Sequence, residues 1–153
     1  MTTTTHPSIA HSSSRVESRS DATRYLVPIG RLFFVAIFLM SVPTHFGQAS
    51  IGYAAQQGVP LANVLVPLSG VLALIGGLSV LLGYHARIGA VVLALFLVPV
   101  TLMMHNFWAV AEPMQAKMQM AMFMKNVAIL GGTLLFMHFG AGPVSLDERA
   151  GRM

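Results

Sequence analysis

Apolar positions come in four long runs along the chain, at roughly 25–46, 62–83, 86–106 and 118–139, separated by short polar or glycine-containing breaks. Each run is close to the ~20 residues an α-helix needs to cross a ~30 Å hydrocarbon core. Barrel strands would be about half as long and would alternate in polarity, so the pattern predicts four transmembrane helices. The break from Gly83 to Arg87 has room only for a tight antiparallel hairpin, with Gly83 as the helix stop. The first break, Gly47 to Leu61, is uncharged, and Ala49 to Gln57 followed by Gly58 and Pro60 predicts a short helix lying along the interface. The expected fold class is all-α: an integral membrane four-helix bundle over 24–142, with a disordered N-terminal tail over 1–23 and a short C-terminal tail over 143–153.

Composition strengthens this picture. The chain is 55% apolar and 9% charged, and between Leu32 and Ala111 the sole charged residue is Arg87. A water-facing surface needs more charge than that, so lipid is the expected solvent. Residues 1–23 hold eleven Ser or Thr and few large apolar side chains, too little to offset the entropy of ordering; His6 and His11 are read there as solvated spacer. Gly47-Gln48-Ala49 has the small-x-small form of a cleavage site, but the long tail and full-length apolar run favour a retained first helix.

The net charge is +4, yet the basic residues form no patch interleaved with aromatics, which excludes nucleic acid as a partner. Seven Arg lie in the tail, at the start of the first run, in the second break and at the C-terminus, against only Lys117 in the first and third breaks. The positive-inside rule therefore predicts both termini in the cytoplasm of an inner (plasma) membrane protein, with the first and third breaks outside. With no cysteine, thiolate nucleophiles, disulfides and iron–sulfur clusters are excluded, and redox chemistry would need a bound cofactor or a partner subunit.

Small residues at four-residue spacing (Ser69, Ala73 and Gly77; Ala90 and Ala94; Ala128 and Gly132) predict helix contacts, and Pro43, Pro67 and Pro99 predict kinks. Lys125 is the hardest residue to explain as packing, since it lies roughly 10 Å along the fourth run; it either faces a polar pocket or snorkels to the headgroups. Gln115, Gln119, Met122 and Asn126 give that run one polar stripe. His45 and His105 close the first and third runs, so with Asn106, Glu112, Lys125 and Asn126 they form a candidate polar pocket, suited to a proton or a quinone, on the outer side. Trp108, Arg31 and Arg87 are read as interfacial anchors. The eleven methionines, spread over several helical faces without cysteine, are read as packing rather than a metal site.

Gly30-Arg31-Leu32, Gly58-Val59-Pro60, Gly76-Gly77 with Leu82-Gly83, His105-Asn106-Phe107-Trp108, Phe123-Met124-Lys125-Asn126 and Ser145-Leu146-Asp147 together resemble the DoxX family, from about Gly30 to Asp147. The resemblance implies a four-helix inner-membrane protein serving as an accessory, quinone-linked redox subunit, with quinone as ligand and a redox partner subunit or a second copy as partner. The alternative is a small transporter or scaffold without a redox role.

Overall fold

The computed structural model describes residues 23–152, and every regular element among them is helical. The tail expected over 1–23, with its two histidines, lies outside the described residues except for Thr23. The first run forms α1 (Leu26–Ser41), and at Pro43 the chain tightens into a 3₁₀ turn, Val42–Phe46, which prolongs the span. The uncharged link forms the short helix α2 (Gln48–Gln56), stopped where Gly58 takes φ +80°. The hairpin pair follows as α3 (Ala62–Leu82) and α4 (Ala86–Met104), then α5 (Pro113–Phe139) and a single-turn helix, α6 (Leu146–Arg149).

Among the described residues four helices are long and apolar enough to span: Leu26–Phe46, Ala62–Leu82, Ala86–Ala109 and Pro113–Phe139, of 21, 21, 24 and 27 residues. At 1.5 Å per residue each reaches about 30 Å or more. The fourth starts five residues before its apolar run, because its first turns are polar and their formation is set by capping. Glu112 accepts hydrogen bonds from the Met114 and Gln115 N–H groups, and Pro113 supplies a helix-ready φ at the first position. α3 and α4 each continue as a single helix through Pro67 and Pro99.

α3 packs against α1 on one side and α4 on the other, and α4 packs against α5. Val35, Phe38, Ala73, Val80, Ala90, Leu93, Phe96 and Leu97 form the core between them. The α3–α4 crossing is close because it is made of glycine: a Cβ on Gly76 would stand 2.8 Å from Leu93 Cγ and 2.9 Å from the Gly89 carbonyl oxygen. In lipid, where apolar surface gains nothing from leaving the solvent, such backbone proximity is what holds helices together.

The described chain begins and ends on one face of the bundle, here the terminal face; the opposite one, carrying α2 and the α4–α5 connection, is the link face. The segment after α5, which includes the short tail over 143–153, folds back across the terminal face. The Asp147 carboxylate accepts the His85 and Ala86 N–H groups at 2.9 and 3.0 Å, capping α4 from a distant part of the chain. Its own N–H donates to the Gly83 carbonyl at 2.8 Å, and Arg152 pairs with the carboxylate at 3.2 Å. Arg31, expected as an interfacial anchor, is instead 2% exposed: its guanidinium donates to the Val144 carbonyl within this clasp. The physical reason is position, because Arg31 faces the hairpin and the returning segment rather than the headgroups. Val144 is held at φ +55°, a strained value for a β-branched residue, between that contact and a hydrogen bond from its N–H to Glu148.

Candidate functional site

The clasp pins α3 and α4 together at the terminal face; towards the link face the two helices enclose a cleft of about 570 Å³. The 3₁₀ turn and α2 close it on the link side, and its walls are apolar, including Leu68 and Leu72 of α3 and Leu95, Phe96 and Pro99 of α4. Leu68 and Leu95 remain 47% and 66% exposed, so the cleft opens sideways, towards lipid. The size falls within the 300–1,000 Å³ typical of small-molecule sites.

Polar groups gather at its link end: His45, Tyr53 and His105 line the cleft with Thr44, Ser50 and Ser69. His45 sits in the 3₁₀ turn, where its Nδ1 lies 2.8 Å from the Ser41 carbonyl oxygen. A carbonyl only accepts, so Nδ1 carries the proton and Nε2 of the neutral ring is left as an acceptor. The ring packs against Phe96, centroids 5.6 Å apart. Gly70 of α3 makes the space, since a Cβ there would stand 2.7 Å from His45 Cβ. His105 ends α4, and its Nδ1 meets Gln119 Oε1 at 2.8 Å, while Gln119 Nε2 donates to the Tyr53 hydroxyl at 3.3 Å. One amide thus ties α4, α5 and α2 together behind the cleft.

Of the six residues expected to form a polar pocket, His45 and His105 line the cleft; Lys125, Asn126, Asn106 and Glu112 do not. Lys125 stands exposed on the outside of α5, whereas its neighbour Asn126 is 6% exposed and faces the bundle. Asn106 precedes the 3₁₀ turn Phe107–Ala109, and its carbonyl accepts from the Ala109 N–H, with no capping bond from its side chain. Glu112 caps α5, and the N–H groups of Met114 and Gln115 hold its carboxyl below the usual range. Trp108 is 60% exposed and meets Phe107 and Phe123 edge-on, and Arg87 is exposed at the start of α4. Tyr53, Gln119 and Gly70 belong to the site but were not singled out for it. Gln119 already belonged to the polar stripe of the fourth run, but nothing local to Tyr53 or Gly70 distinguishes them.

The comparisons with known proteins correct the family. The chain matches the SURF4 family over residues 11–152, and not DoxX. No curated protein and no solved structure matches it. The motifs behind the DoxX resemblance are short, whereas the match found runs over nearly the whole chain. With four membrane-spanning helices and that match, the chain belongs to the SURF4 family.

Proposed function

We propose that this membrane protein binds a lipophilic small molecule with a compact polar head, taken sideways from the bilayer into the α3–α4 cleft. The observation that carries the reading is the cleft itself: apolar walls open to lipid, with His45, Tyr53 and His105 at one end. A quinol ring belongs to the class that such a cleft fits. A redox subunit role was implied by the DoxX resemblance and falls with it; the ligand-binding role stands on the cleft alone.

Protein in lipid nanodiscs should bind a decyl-chain benzoquinol above the level of empty nanodiscs, by isothermal titration. His105→Leu removes one hydrogen-bonding partner and should weaken binding about tenfold. Gly70→Ala, which pushes His45 from its place, should weaken it similarly. Unchanged affinity in both variants would remove the cleft from the function.

For orientation, the reading is that the terminal face is cytoplasmic, in an inner (plasma) membrane. It is supported by Arg24, Arg87, Arg149 and Arg152, which belong to the elements of that face, against Lys117 near the other. A C-terminal fluorescent reporter that works only in the cytoplasm should be active, and so should alkaline phosphatase fused after Gln57. Silence of both would reverse the orientation.

A further inference from the structure

The Gln119 amide couples two groups of the cleft, and hydrogen-bond accounting limits what they can present to a ligand. As placed, Gln119 Oε1 faces His105 Nδ1 and its Nε2 faces the Tyr53 hydroxyl, at 2.8 and 3.3 Å. His105 then carries its proton on Nδ1 and offers Nε2 as an acceptor, while Tyr53, accepting from the amide, keeps its own proton to donate. Rotating the amide by a half turn reverses both. The amide N–H donates to Nδ1, so His105 offers an Nε2–H donor; the amide oxygen takes the Tyr53 proton, so Tyr53 offers lone pairs. In either state the pair presents one donor and one acceptor, because a primary amide has one end of each kind and both ends are engaged. His45, fixed by the Ser41 carbonyl, adds a constant acceptor outside this chain.

We infer that Gln119 sets the specificity of the cleft, selecting an uncharged head that donates and accepts hydrogen bonds at once, a hydroxyl, phenol or amide on a lipophilic body. The inference rests on the ligand-binding reading above and narrows it. A head that only accepts, such as an ether, meets the one donor and leaves both acceptors without a partner. A head that only donates, such as an ammonium, meets the Tyr53 or His105 donor with nothing to accept. Burying a polar group without its partner is what makes hydrogen-bonded sites discriminating, more than the gain from any bond formed.

Gln119 itself does not line the cleft, so it acts as a positioning residue through Tyr53 and His105. Its replacement by Glu makes a sharp test. A carboxylate accepts at both ends, so Tyr53 and His105 would both donate to it, keeping the tie between α2, α4 and α5. Both would then show acceptors to the cleft, beside the acceptor of His45 and a new negative charge, and the site should turn towards cationic donors.

Three probes on one body separate the cases: para-heptylphenol, which donates and accepts; para-heptylanisole, which only accepts; and para-heptylbenzylammonium, which only donates. In nanodiscs, by titration against empty discs, the wild type should prefer the phenol over the anisole by about tenfold, the worth of one unmet hydrogen bond, and over the ammonium at least as strongly, because its charge enters an apolar cleft with the site's donor facing it. Gln119→Glu should invert the order, with the ammonium bound best. A purely structural role for Gln119 would instead weaken all three alike and leave their order unchanged, and that result overturns the inference. Equal binding of the three by the wild type also overturns it while leaving the cleft a ligand site. Binding of none by the wild type overturns the ligand-binding reading, and the inference with it.

Discussion

Gly83→Ala is expected to destabilise the bundle by about 4 kcal/mol, combining backbone strain with overpacking of a filled site. Gly83 has φ +63°, which an L side chain resists, and a Cβ there would stand 2.2 Å from Arg31 Nη1, 2.4 Å from Ser145 Cβ and 2.9 Å from Ala141 Cβ. The guanidinium cannot swing aside cheaply, because it is buried and bonded to Val144, and the Ser145 side belongs to the clasp. Gly58→Ala is the control: its φ is +80° but nothing lies within 4 Å of the added atom, so the cost should be strain alone, about 1 kcal/mol. Thermal denaturation in detergent should show a much larger fall for Gly83→Ala than for Gly58→Ala. Equal falls would mean that the terminal face is looser than the contacts of Arg31 and Ser145 indicate.

Asp147→Ala should cost about 3 kcal/mol at neutral pH, since it strands two helix-end N–H groups and removes the partner of Arg152. The pH dependence gives the sharper check. Burial pushes the Asp147 carboxyl up, but the Ala86 and His85 N–H groups and Arg152 together outweigh it, holding the group below the usual carboxylate range. A depressed folded pKa means that the unfolded chain binds more protons in acid. The contribution is therefore complete above about pH 4 and disappears as pH falls through the lower folded value. The gap in melting temperature between wild type and Asp147→Asn should be constant from pH 8 to about pH 5 and narrow below about pH 4. A gap independent of pH down to pH 2 would show that the charge of Asp147 contributes nothing.

Both predictions bear on the cleft, because the clasp fixes the near end of the α3–α4 hairpin whose far end encloses it. The same dependence explains what could be read along the chain. Four spans, the tight turn at Gly83 and the short helix in the first link follow from runs of apolar residues and from where glycine and proline interrupt them, all properties of neighbours in sequence. The start of α5 was misjudged because hydropathy sees the polar turns around Gln115 and Lys117 as loop, while the cap from Glu112 and Pro113 makes them helix. The family was misjudged because it was read from short motifs, whereas the match found extends over residues 11–152.

Sequence alone determined the solvent of this protein, the number of its spans and the polar stripe on α5, because hydropathy and helical periodicity act over about twenty residues or fewer. Tertiary structure alone decided which polar residues meet. Lys125 and Asn126 are adjacent, yet one faces out and the other in, because α5 turns a particular side to α4. Arg31 is buried because the chain 113 residues further on returns over it, and Asp147 caps a helix that begins 61 residues earlier. Tyr53, Gln119 and His105 join three helices through one amide, and Gly70 matters only because His45 rests against it. These are contacts between elements whose rotation and approach depend on small residues packing across the bundle, and no local pattern encodes that rotation.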